Sequence, residues 1–170
     1  QIDLSPEAWQ RVKESRAVVD ALVASPRVAY GINTGFGLFS NVVVEKSKLS
    51  ELQENLIRSH SAGVGEPISQ QRTRMLLALR INVLAKGRSG VSLPVLEAMI
   101  AAYNKDCLSV IPEKGTVGAS GDLAPLSHLA LGLMGEGQIW GEDGVAHVDA
   151  ALMLKKNGLF PLQLGPKDGL

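Results

Sequence analysis

Cysteine is almost missing from this 170-residue chain: Cys107 is the only one, so no intrachain disulfide can form and no particular redox compartment is demanded. Aromatic residues are scarce at 4%, and charge is balanced, with 17 Lys plus Arg against 17 Asp plus Glu. A chain with no net field has no electrostatic bias toward nucleic acid or anionic lipid. No apolar run approaches the ~18 residues that a membrane span requires. The opening stretch, residues 1–15, is polar and amphipathic and lacks the apolar core of a secretory signal. These absences lead to the expectation of a cytoplasmic protein with neither nucleic-acid nor membrane partners. Gln1 stands where a Met start would be, so the natural start is expected upstream.

What is present is ordinary globular composition, 45% hydrophobic and 20% charged, in a pattern that is mostly helical. Ser5-Pro6-Glu7 starts a helix with a hydroxyl cap, a proline at the first position and an acid at the positive end of the dipole. Trp9, Val12, Val19 and Leu22 give its apolar stripe, and Pro26 ends it. Leu49, Leu52, Leu56 and Ile57 predict a second helix ending by Gly63. A third opens at Ser69, with Met75, Leu76, Leu79 and Val83 expected inward, and a fourth runs from Ser92 to about Asp106. Leu123 to Met134 reads as a helix buried on most sides, residues 137–148 as turns with a hairpin at Glu142-Asp143-Gly144, and Asp149 to Asn157 as a short helix. The tail from Pro161 is loop-like. The fold class expected is mainly α.

The chemistry concentrates at Gly115-Thr116-Val117-Gly118-Ala119-Ser120-Gly121-Asp122. Glycines three apart before a helix can cradle a phosphate on helix N–H groups. Neither a lysine-plus-hydroxyl ending nor a preceding hydrophobic strand accompanies them here. The alternative rests on Ala119-Ser120-Gly121. In a tight turn the Gly121 amide nitrogen can attack the Ala119 carbonyl carbon, and loss of two waters leaves an imidazolone bearing a methylidene from Ser120. Glycine third avoids crowding the attacking nitrogen and tolerates strained dihedrals. Alanine first keeps the turn small, and Asp122 stands ready to shuttle protons during dehydration.

With residues 30–37 (YGINTGFG), 56–67 (LIRSHSAGVGEP), 75–87 (MLLALRINVLAKG) and 115–137 (GTVGASGDLAPLSHLALGLMGEG), the chain resembles the aromatic amino acid ammonia-lyases. That family builds a 4-methylidene-imidazol-5-one (MIO) group from Ala-Ser-Gly. The likeness runs from Tyr30 to Leu170. It implies the N-terminal portion of the ammonia-lyase helical fold, truncated before the central helical bundle, with residues 1–170 forming one MIO-bearing part without an internal boundary.

The resemblance also implies roles. Ala119, Ser120 and Gly121 supply the MIO, an electrophile to which the substrate amino group adds so that nitrogen leaves more readily; no metal or diffusible cofactor is implied. Tyr30 matches the base that takes the β-proton, and a phenol needs positive potential nearby for that task at neutral pH. Without the matched loop, Tyr30 reads as a tyrosine packed at a loop start. Gly31, Gly35 and Gly37 would shape the loop, and Asn33 and Thr34 would hold it through side-chain hydrogen bonds. Ser59-His60 resembles the pair of histidine-specific members, where one imidazole hydrogen-bonds another; read alone, His60 caps the end of its helix.

His128 reads as a satisfied histidine in an apolar helix and His147 as solvent-exposed. Arg72, Arg74 and Arg80 read as a solvated or subunit-facing edge. The histidines lack the spacing of a metal site.

The function implied is elimination of ammonia from L-histidine to give trans-urocanate, in a homotetramer. A phenylalanine or tyrosine lyase, or an aminomutase, is the alternative within the family; a non-catalytic truncated product acting as an interaction partner is the alternative outside it. The family's Asn-Gly-Thr-Gln segment, later tyrosine loop, carboxylate-binding arginine and acidic residue of the histidine site would lie beyond Leu170. The chain is therefore expected to be a fragment, inactive alone, with apolar helix faces exposed.

Overall fold

The Ser5 hydroxyl accepts a hydrogen bond from the Ala8 amide at 3.3 Å and Pro6 fills the first helical position, which starts α1 (Pro6–Ala24) in the computed structural model. The structure describes residues 1–119, 121–144 and 147–170. α1 buries Ala8, Val12 and Val19, and Ser25 closes it before Pro26. A 3₁₀ turn at Lys46–Lys48 leads into α2 (Leu49–His60), followed by the short strand β1 (Val64–Pro67), α3 (Gln70–Leu84) and α4 (Leu93–Asn104). Then come β2 (Pro112–Lys114), α5 (Leu123–Leu133), β3 (Gln138–Trp140), β4 (His147–Asp149) and α6 (Ala150–Lys156). The mainly α expectation is met, with the anticipated hairpin formed by β3 and β4 in the register Ile139↔Val148 and Trp140↔His147. Asp149 accepts from the Leu152 amide at 3.0 Å and so caps α6.

Close packing divides the chain into two units, each drawn from three segments. The first comprises Gln1–Asp3, Ile57–Ile81 and Glu97–Leu162; the second comprises Leu4–Leu56, Asn82–Leu96 and Gln163–Leu170. In the first unit, residues 108–114 form a spine. The Val110 amide donates to Gln138 and the Trp140 amide to Leu108 at 2.8 and 2.9 Å, while farther along β2 pairs antiparallel with β1. α5 packs against β2 and α6. Leu77, Leu108, Ile111, Leu129, Ile139 and Leu154 are all buried in this unit. In the second unit, the tail is anchored: the Gly169 amide donates to the Gln53 side chain at 2.7 Å, and Asp168 receives several donors. The tail was expected to be loop-like, and it is, but it is tied down.

Two side-chain expectations are corrected. α3 buries Thr73, Leu77, Ile81 and Leu84, whereas Met75, Leu79 and Val83 lie outward at 60%, 56% and 48% exposure. Apolar residues occur on more than one side of this helix, so helical periodicity could not choose the inner face. Of the two readings given for the three arginines, a solvated or a subunit-facing edge, the first does not hold for all of them. Arg74 stacks its guanidinium 4.0 Å over the Tyr103 ring, bonds the Tyr103 carbonyl at 3.1 Å and pairs with Asp106. Arg80 is half-buried, and burial lowers its pKa, while Arg72 is exposed.

Candidate active site

α2 ends on the pair read as substrate-binding. The Ser59 hydroxyl lies 3.0 Å from Nδ1 of His60, the last residue of the helix. It is Ser61 that closes this end, its amide and hydroxyl both donating to the Ile57 carbonyl at 3.0 and 2.8 Å. The Ala62 amide returns to the His60 carbonyl at 2.9 Å, and the next amide, that of Gly63, donates to Nε2 of His128 on α5 at 3.0 Å. That ring nitrogen therefore carries no proton, and burial lowers the pKa of His128. The sequence reading of a satisfied histidine is correct; its partner was not foreseen.

β1 and β2 then bring two distant stretches together. Val64 is paired with Lys114, so the turn leaving His60 and the segment entering Ala119 start from the same rung. Close approach here depends on glycine. A Cβ at Gly115 would lie 2.9 Å from the Gly63 Cα and 3.0 Å from the Ala124 Cβ. A second tether runs from α2 to the turn after α5: Arg58 meets Glu136 through Nε at 2.8 Å and Nη2 at 2.5 Å, and this hydrogen-bonded pairing holds the Glu136 carboxyl below its ordinary pKa.

Residues 115–119 and 121–122 are exposed, and Thr116 makes the hydrogen bonds among them. The Thr116 hydroxyl accepts the Gly118 amide at 3.2 Å and lies 3.3 Å from the Gly121 carbonyl and 3.5 Å from the Asp122 carboxylate. Gly121 has φ of +100°, a backbone state that a side chain would strain, and among the described residues beyond its chain neighbours a Cβ there would meet only the Leu123 Cδ2 at 4.0 Å. Ala119, Gly121 and Asp122 are all exposed; Ser120 lies outside the described residues. Thr116 thus contacts the backbone on both flanks of this stretch, at Gly118 and at Gly121.

Tyr30, Asn33 and Gly37 belong to the second unit. Asn33 binds the Ala29 amide through Oδ1 and the Arg27 carbonyl through Nδ2, both at 2.8 Å. Buried Thr34 accepts the Gly31 amide at 3.3 Å and donates to the Gly35 carbonyl at 2.9 Å. Tyr30 is 60% exposed, rests edge-on against Phe36 with ring centroids 6.0 Å apart, and its hydroxyl accepts the Gly37 amide at 3.5 Å. Ser59, His60, Ala119, Gly121 and Asp122 share the first unit. Sequence reasoning missed the roles of Thr116, Arg58 and Glu136, which had no local signal beyond residue type.

The profile of the aromatic amino acid lyases matches residues 1–170. The chain belongs to that family, whose members use the MIO group. It is 58% identical to a histidine ammonia-lyase of Bos taurus over 170 residues, covering all of this chain and 26% of the relative. Among solved structures, a histidine ammonia-lyase from Trypanosoma cruzi superimposes with a TM-score of 0.92 at 46% identity, covering 100% of this chain and 32% of that one. A phenylalanine aminomutase from Pantoea agglomerans also gives 0.92, at 35% identity over 99% of this chain and 32% of its own. The chain thus spans about a quarter of the length of this curated relative.

Proposed function

We propose that the complete polypeptide carrying this chain eliminates ammonia from L-histidine to give trans-urocanate. The observation that supports this most directly is the Val64–Lys114 rung, from which both the Ser59–His60 turn and the Ala119–Gly121 segment depart. Identity to histidine ammonia-lyases across the whole chain supports the choice of substrate, because the aminomutase structure shares the fold equally well.

In this reading Ala119, Ser120 and Gly121 hold the MIO, which supplies an electrophile that turns the substrate amine into a better leaving group. His60 holds the substrate imidazole through a ring nitrogen. When Ser59 donates to Nδ1, the neutral His60 ring keeps its proton on Nε2 and offers a donor there. The Tyr30 phenolic oxygen takes the β-proton, with Asn33 and Gly37 setting its loop. Asp122 moves protons during dehydration of the Ala119–Gly121 turn. The active protein is a cytoplasmic homotetramer, and the 170-residue chain alone is inactive.

The test is Ser120→Ala in the complete polypeptide, assayed with histidine and with phenylalanine beside the wild type. Wild-type turnover of histidine in preference to phenylalanine, lost in the variant, is expected. Full activity in Ser120→Ala refutes the mechanism, and preference for phenylalanine refutes the substrate.

A further inference from the structure

The Ser59–His60 pair sits between two tethers, and both lead to α5 or the turn after it. On one side Arg58 grips Glu136 with two nitrogen–oxygen bonds. On the other, the Gly63 amide donates to Nε2 of His128 at 3.0 Å. The two are not equivalent. Arg58 and Glu136 are 41% and 37% exposed in their side chains, so water competes with their bond. The His128 contact is part-buried and satisfies a backbone donor that has no strand partner at that point.

Its location matters more than its strength. From His60 the chain turns through Ser61 and Ala62, with the Ala62 amide on the His60 carbonyl, and reaches Gly63 where the imidazole fixes it. Gly63 also packs against Gly115, at the entrance to the Ala119–Gly121 segment.

We propose that His128 is a positioning residue for substrate recognition: by accepting the Gly63 amide proton, its Nε2 fixes the turn that sets the orientation of His60. This rests on the reading of His60 as the substrate-imidazole partner. A neutral acceptor is required, since an ammonium or guanidinium has no lone pair to offer and an apolar side chain leaves the Gly63 donor unmatched. Glutamine reaches about as far from the backbone as Nε2 and presents an amide oxygen.

The test measures kcat and KM for L-histidine in the complete polypeptide, for wild type, His128→Leu and His128→Gln, with intact mass reporting loss of two waters in each. In His128→Leu, KM is expected to rise about tenfold, the effect of stranding one buried donor. The kcat is expected to fall by less than about threefold, as for loss of uniform binding. His128→Gln should restore KM to near the wild-type value. An unchanged KM in His128→Leu, or His128→Gln no better than His128→Leu, overturns the positioning role. Where His128→Leu does not fold, His128→Asn takes its place. Its shorter amide must show the raised KM that His128→Gln lacks, and equal values overturn the role. Wild-type protein that leaves histidine untouched overturns the reading of His60 instead, and the two failures are thereby distinguished.

Discussion

The carboxylate of Asp168, only 1% exposed, faces Arg16 with Oδ1 at 3.4 Å from Nη1. The same carboxylate accepts the Ser92 amide and hydroxyl, each at 2.8 Å, and the Gly165 amide at 2.9 Å. One acid thus joins α1, the approach to α4 and the tail within the second unit. Asp168→Ala strands these donors and a guanidinium that is itself only 13% exposed. Breaking a buried pair from one side costs about 3–5 kcal/mol. Arg16 keeps Asp20 at 2.8 Å and the Pro166 carbonyl at 2.9 Å, so the low end is expected. Urea unfolding of the complete polypeptide checks it: a lower midpoint at constant slope is the expected outcome. An unmoved midpoint would show that the tail contributes nothing to stability.

Acid should loosen the end of α2 in two stages. His128 has a folded pKa lowered by burial, so the unfolded chain binds its proton first. Its contribution to stability is complete above the unfolded value of about 6.5 and is lost as pH falls through the folded value. Glu136 is likewise lowered, chiefly by its bond to Arg58, so its contribution is present above about pH 4.3 and fades below that as the folded carboxyl titrates. Exposure of that pair limits its share to no more than about 1 kcal/mol. The protection factor of the Gly63 amide against hydrogen exchange, followed by NMR across this range, should fall with the first titration. Protection that persists until Glu136 titrates would contradict the assignment of Nε2 as acceptor.

Much of this fold was legible because its helices carry their own punctuation. Ser5-Pro6-Glu7 and Asp149 mark helix starts by capping chemistry that needs no tertiary partner. The paired strands β1 and β2 left no such mark. At four and three residues they are too short for an alternating pattern, and one of them begins at a proline. Yet that pairing links the His60 turn to the Ala119 segment. Similarly, residue types in the matched motifs named Ser59, His60, Ala119 and Gly121. The bond from Gly63 to His128 spans 65 positions and depends on how α5 packs, which no local window contains. Gln53 shows the same limit: a buried polar residue of α2 whose Oε1 receives the Gly169 amide, 116 positions away.

Thr116 should govern how readily the electrophile forms. Its hydroxyl receives the Gly118 amide and lies 3.3 Å from the Gly121 carbonyl, so in the proposed ring closure it would hold the backbone on both sides of the reacting residues. These bonds are exposed, and net contributions of about 0.5–1.5 kcal/mol each are the most such contacts give. Global stability should therefore barely change in Thr116→Val, which keeps the β-branched shape and removes the hydroxyl. Ring closure is more sensitive, because it depends on how often the Ala119 carbonyl and the Gly121 nitrogen are held in the reacting arrangement. Freshly made Thr116→Val protein is expected to contain chains that have not lost two waters and to convert more slowly than wild type, whereas Thr116→Ser converts normally. A time course of intact mass reads this directly, independent of turnover. If Thr116→Val loses both waters as fast as wild type, the hydroxyl is a surface contact without a part in forming the group.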